Sequence, residues 1–228
     1  MNIFIISLKL AGIFIFSYLI GCINPSYIVA KIKGFDIRQK GSHNAGASNA
    51  IITMGKTVGI LSAIFDIFKA FICWKIAAWL FPEIAVAGTL AAVGCILGHI
   101  FPVFMKFKGG KGTACLSGTV LAFNPIVFLI FLVAEIVLVL ATDYICVLPI
   151  TVCIALPIAY LTINGKIAGF LILLIATVAI IYKHIENIKR IKNGTELHFS
   201  YLWKKDKEMG RLKSNLKEYS EDEIQNNF

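Results

Sequence analysis

The sequence predicts an all-α integral membrane protein of about seven transmembrane helices, one of them short, and three observations carry that prediction. Hydrophobic residues fill 58% of the 228 positions and the mean hydropathy is +0.80, well above what a water-facing charged surface allows. Apolar runs long enough to span a bilayer alternate with short polar clusters. Lys and Arg gather in some of those clusters and avoid others.

Proline, glycine and charge clusters divide the apolar sequence into spans. The first, near Ile3–Tyr27, has no small-residue cleavage site after it, so a retained helix is expected and not a removed signal peptide. Gly55–Leu80 is the second. It carries Asp66 and Lys69 three positions apart on one face, where each charge alone would cost about 2.5–3.5 kcal/mol, so the two are expected to pair. Ile84–Phe104 is the third, and Thr113–Phe123 is too short to cross unaided, which predicts a half-helix buried among its neighbours. Pro125–Ala141, Tyr144–Leu161 and Ile167–Lys183 complete the set. Glu135, inside one of them, is expected against protein or water.

Lys31, Lys33, Arg38 and Lys40 follow the first span, Lys106, Lys108 and Lys111 follow the third, and Lys183, Lys189, Arg190 and Lys192 follow the last. The loop Phe81–Glu83 has no basic residue and Thr162–Lys166 has one. The basic loops are therefore expected in the cytoplasm, with the N-terminus outside and the C-terminus cytoplasmic. Residues 1–196 are expected to form the membrane-embedded domain and 197–228 a cytoplasmic charged tail, whose near-neutral part Lys204–Phe228 reads as solvated or loosely helical. Six cysteines sit in apolar stretches without a CxxC pair, so neither a zinc site nor a disulfide framework is indicated and packing is their expected role.

Three polar clusters share the basic side. The first is GSHNAGASN, Gly41–Asn49: Gly41 and Gly46 permit tight turns, and Ser42, Asn44, Ser48 and Asn49 offer hydrogen-bond donors. It reads equally as a capped inter-helix loop or a ligand site. The second, KFKGGKG at Lys106–Gly112, sets Gly109, Gly110 and Gly112 around Lys111 just before a helix, an arrangement that can offer N–H groups and an ammonium to a phosphate. It lacks nucleotide P-loop spacing, and Lys106 and Lys108 read as membrane-surface anchors. The third is KHIENIKRIKNGTE, Lys183–Glu196, in which His184 and Asn187 can share one helix face.

Together, GSHNAGASN with Gly55–Lys56, the Asp66–Lys69 pair, GHIFPVF with FKGGKG, and HIENIKRIKNGTE resemble, in order and spacing, the bacterial membrane-integral acyl-phosphate:glycerol-3-phosphate acyltransferase family. The resemblance implies a multi-pass enzyme of the bacterial plasma membrane with its site facing the cytoplasm. It implies acyl transfer from acyl phosphate to the 1-hydroxyl of glycerol 3-phosphate, giving lysophosphatidic acid and phosphate, the first step of phospholipid synthesis. Ser42, Lys111, His184 and Asn187 are then the expected catalytic residues. Gly41, Asn44, Gly46, Ser48, Asn49, Gly109, Gly110, Gly112 and Cys146 are the expected substrate and phosphate contacts, with no metal and no cofactor. The chain departs from the family pattern at His43 (glycine), Ser48 (threonine), Ile52 (arginine), Asp143 (arginine), Cys146 (serine) and Pro149 (serine). Those departures keep open a relative that binds lipid or phosphate with a changed acceptor. A transporter is a third reading, disfavoured because the polar residues gather at one face without paired broken helices. No nucleic-acid module is present, and the oligomeric state stays open because small-residue faces serve internal and intermolecular packing alike.

Overall fold

The computed structural model describes residues 3–217; the tail sequence from 218 to 228 lies outside the described residues. In chain order the helices are α1 (Ile3–Gly21), α2 (Pro25–Ile32), α3 (Ala47–Met54), α4 (Lys56–Leu80) and α5 (Ala87–Ile100), then α6 (Thr113–Phe123), α7 (Pro125–Thr142), α8 (Val147–Asn164), α9 (Ile167–Lys192) and α10 (Lys205–Lys217). Among the described residues, six helices are long and apolar enough to cross a membrane, and α6 is the short apolar helix expected from its length. Their lipid-facing sides carry exposed Ile, Leu, Val and Phe, as a bundle solvated by acyl chains requires.

The expected span boundaries shift by three or four residues at α5 and α8 and by more at the first and last spans. The first span ends at Gly21 because Asn24 caps a new helix, accepting from the Tyr27 N–H at 2.9 Å, with Pro25 at its first position. The last span continues past Lys183 to Lys192, so all of the third polar cluster but its closing turn is a helical extension of α9.

The most deeply buried span is α5, which packs on α1, α4 and α9. Close crossing with α1 requires missing side chains: a Cβ on Gly98 would stand 2.0 Å from the Tyr18 carbonyl oxygen. Lower in the same contact, Asp66 and Lys69 form the expected pair at 2.6 Å. The Lys69 ammonium also donates to the carbonyls of Gly21 at 3.0 Å and Ile23 at 2.7 Å, and His99 Nδ1 lies 3.4 Å from Asp66. This charge network locks the end of α1 to α4 and α5. Glu135 accepts the Thr151 hydroxyl at 2.6 Å, joining α7 to α8.

Candidate active site

The first polar cluster folds around one side chain. Asn49 is fully buried, its Nδ2 donates to the carbonyls of Ile37, Lys40 and Asn44 at 2.8–2.9 Å, and its Oδ1 accepts the Ser42 N–H at 2.9 Å. With both ends of its amide occupied, Asn49 shapes the loop. Gly41 adopts φ +61°, and a Cβ there would strike Asn49 Oδ1 at 2.2 Å. Ser42 and Ser48 lie exposed on that frame with no intrachain bond to their hydroxyls among the described residues, and Asn44 is half-buried. Gly46 is the N-cap of α3. Arg38 ties this loop to the second cluster, donating to the Met105 carbonyl at 2.8 Å, while its guanidinium holds the Asp36 carboxyl down at about 2.

Around Lys111 the glycines serve the fold more directly than expected. The Gly109 and Gly110 N–H groups donate to the carbonyls of Ile100 and His99, both at 3.1 Å, so neither is free for an anion. A Cβ on Gly110 would lie 2.2 Å from His99 Nε2. Close backbone approach is therefore toward α5, and it presses the loop onto His99. Gly112, at φ +85°, starts α6 and leaves Lys111 half-buried at its threshold.

The third cluster meets Lys111 from α9. Lys111 Nζ donates to Asn187 Oδ1; Asn187 Nδ2 donates to Glu196 Oε1 at 2.6 Å; Arg190 Nε donates to Glu196 Oε2 at 2.6 Å. Glu196 reaches back because α9 ends in a left-handed turn, with Gly194 at φ +66° and the Thr195 N–H returning to the Arg190 carbonyl at 2.8 Å. His184, one turn before Asn187, is 2% exposed, and its Nδ1 donates to the Ile180 carbonyl at 2.8 Å. A carbonyl only accepts, so the Nδ1 proton is fixed and Nε2 is the atom left for other chemistry. Burial lowers the Lys111 pKa to about 8, Arg190 and Lys183 push it the same way, and Glu196 opposes them. Cys146, at the start of α8, is buried beside Glu196, and burial first and that carboxylate second raise its thiol to about 11.

Glu196 and Arg190 are the members that the sequence reading left out; the closing NGTE turn of the cluster is the signal that returns them to Asn187. Ile52 sits on α3 with its side chain 59% exposed. Asp66, His99 and Cys115 offer ligand atoms within 4.8 Å of one another, but Lys69, 2.6 Å from Asp66 and 3.2 Å from His99, already supplies a cation there.

The tail through Lys217 is helical, one of the two expected forms, but it is docked on the bundle rather than solvated. Residues Phe199–Leu202 form a 3-10 turn against Asp143, and α10 follows with Glu208 and Leu212 buried. The unused carbonyls where α9 ends and the carboxylate of Asp143 give a mixed-charge segment specific partners.

The profile of the glycerol-3-phosphate acyltransferase family matches residues 11–194. The glycerol-3-phosphate acyltransferase of Clostridioides difficile (strain 630) is 38% identical over 185 residues, covering 79% of this chain and 90% of that protein. That of Aquifex aeolicus (strain VF5) is 37% identical over 193 residues, covering 84% of this chain and all (100%) of its own. Among solved structures, PlsY (YgiH), an integral membrane glycerol 3-phosphate acyltransferase, superposes in its glycerol 3-phosphate form with a TM-score of 0.78 at 34% identity, over 85% of this chain and 96% of that one. Its lysophosphatidic acid form gives 0.75. With the same helical membrane fold and a profile that covers the first two polar clusters and α9, this chain belongs to the glycerol-3-phosphate acyltransferase family.

Proposed function

We propose that the protein transfers a fatty acyl group from acyl phosphate to the 1-hydroxyl of glycerol 3-phosphate, releasing lysophosphatidic acid and inorganic phosphate. The observation that supports this most is the Lys111–Asn187–Glu196–Arg190 chain, a cationic, half-buried amine held at the end of an apolar bundle where a long-chain acyl phosphate and a water-soluble phosphate can meet. Relatives named for glycerol-3-phosphate acyl transfer, and a related structure holding that substrate, point to the same acceptor.

The donor is a mixed anhydride and is already activated. The glycerol hydroxyl attacks the acyl carbonyl, the ester C–O bond forms, the acyl–phosphate C–O bond breaks, and the hydroxyl proton leaves with phosphate. No covalent enzyme nucleophile is needed. Lys111, Ser42, Asn44 and Ser48 bind and orient phosphate oxygens, with the ammonium offsetting charge that grows on the leaving group. His184 and Asn187 position the glycerol substrate. The basic clusters set this face toward the cytoplasm, at the inner surface of the plasma membrane, with the N-terminus outside.

The test is phosphate release by purified protein given palmitoyl phosphate, with and without glycerol 3-phosphate, alongside detection of the lipid. Release that depends on glycerol 3-phosphate, with lysophosphatidic acid formed, is expected. Release without a lipid product would move the assignment to a relative with a changed acceptor.

A further inference from the structure

We propose that Arg211, on the tail helix α10, is a positioning residue for Lys111: it clamps the turn after α9 so that Glu196 keeps Asn187 and Arg190 aimed at the site. The inference rests on the reading of Lys111 as a phosphate-binding group. It concerns residues past position 194, where the family profile ends.

Arg211 donates Nη1 to the Gly194 carbonyl and Nη2 to the Glu196 carbonyl at 2.7 Å. Asn215 Nδ2 reaches the same Gly194 carbonyl at 2.7 Å. These are carbonyls just past a helix end, which lack a partner of their own in the α9 ladder. Glu208 aims the guanidinium, accepting Arg211 Nε at 3.0 Å, and is itself fixed by the His198 N–H at 3.0 Å. Glu208 is buried, and although burial works to raise its pKa, Arg211 and His198 hold the carboxyl below its usual range.

The tail is held at its other end by Asp143. The Ser200 N–H and hydroxyl each donate to the Asp143 carboxylate at 2.7 Å, and the Phe199 N–H donates to its carbonyl at 2.6 Å. Asp143 stands three residues before Cys146, which borders Glu196. The tail thus grips the site from the α7–α8 corner and from the end of α9 together. Among the described residues, Glu196 has its carboxylate engaged by Asn187, Arg190 and Cys146 and its backbone carbonyl by Arg211. A loosened turn would swing that carboxylate away from Asn187 and Lys111.

The charged and titratable groups facing Lys111 are Lys183, His184 and Arg190 from α9, Glu196 from the turn and Cys146 from α8. Only Glu196 is anionic, so its retreat leaves the ammonium less favoured and the Lys111 titration must move down.

Full-length wild type, Arg211→Ala, Arg211→Lys and Glu208→Gln are compared in detergent. Competitive acetylation of Lys111 across pH 6–10, read by mass spectrometry, gives its titration; glycerol 3-phosphate kinetics with palmitoyl phosphate give KM and kcat. Arg211→Ala is expected to lower the Lys111 titration midpoint by about half a unit and kcat/KM about tenfold, chiefly through KM, with Arg211→Lys, whose single ammonium can keep only part of the fork's contacts, recovering part of both. Glu208→Gln, the milder change should Arg211→Ala fail to fold, is expected to move both readings in the same direction. Folded variants with wild-type titration and wild-type kinetics overturn the clamp and leave the tail a purely structural element. If wild type forms no lysophosphatidic acid, the acyltransferase reading falls, and the Lys111 titration alone then decides the clamp.

Discussion

Two lysines in this bundle lie near buried acids, Lys69 on α4 and Lys111 in the loop before α6, and they differ in how many of their protons the chain uses. Lys69 contacts the carbonyls of Gly21 and Ile23 and His99 Nδ1 and is ion-paired with Asp66, so its ammonium is fully engaged inside the protein, and it is 4% exposed. Lys111 is half-buried and gives one donor to Asn187, leaving two. Both are costly charges to hold, yet only Lys111 retains unused donors to present to a ligand. Residual donor capacity, not charge or burial, separates the lysine that joins helices from the lysine that can bind an anion.

The contrast breaks most visibly at Asp66. Asp66→Ala strands Lys69 in the helix packing and should destabilise the fold by about 3–5 kcal/mol, read as a large drop in thermal stability in detergent. Restored stability in an Asp66→Ala, Lys69→Met double variant would identify the stranded charge as the cause. Lys111→Ala should do the opposite: turnover falls roughly 100- to 1000-fold while stability changes by less than about 1 kcal/mol. Equal loss of stability in both variants would erase the distinction between the two lysines.

The difference also sets a pH dependence. Lys111 is the charged form below its lowered pKa of about 8 and loses its proton above it, so kcat/KM should be level at lower pH and fall as pH rises through about 8. Lys111→Arg keeps the charge at every working pH. Its residual activity should lack that alkaline fall; a retained fall would assign the titration to another group.

Much of this was legible in the sequence because membrane helices announce themselves by length and apolarity, and because Asp66 and Lys69 stand at helical spacing. The grouping of Lys111 with Asn187 was legible as three polar clusters flanked by Lys and Arg on one side. What the glycines do was not. A sequence cannot say whether Gly109 and Gly110 clear space for a ligand or for a neighbouring helix, and here His99 takes the space. Nor does composition reveal that a tail with balanced charge docks, since docking depends on the unused carbonyls at the end of α9 and on Asp143 being placed to receive Ser200. Asn49, a polar residue in a polar run, gave no sign that its amide would be fully used by the loop.

Ile52 sharpens the comparison from outside the network. Its side chain is exposed on α3, so an arginine there meets little packing cost, and Ile52→Arg should raise activity roughly tenfold if the guanidinium gains one charge-assisted phosphate contact. Unchanged kinetics would mean the remaining donors already satisfy the phosphate.

The smallest effect is expected at Cys146. Its thiol is neutral at pH 7, because burial and then the Glu196 carboxylate raise it to about 11, so it acts beside that carboxylate as a weak donor and not as a thiolate. Cys146→Ser keeps the geometry and offers a stronger donor to Glu196, which steadies Asn187 and through it Lys111. A two- to threefold gain in kcat/KM, of order 0.5 kcal/mol, is the expected size for one improved neutral-to-charged hydrogen bond at a residue two links from the amine. The thiol should correspondingly resist maleimide labelling at pH 7. Rapid labelling would show a thiolate in the site, and the charge balance around Lys111 would then hold one more anion than Glu196.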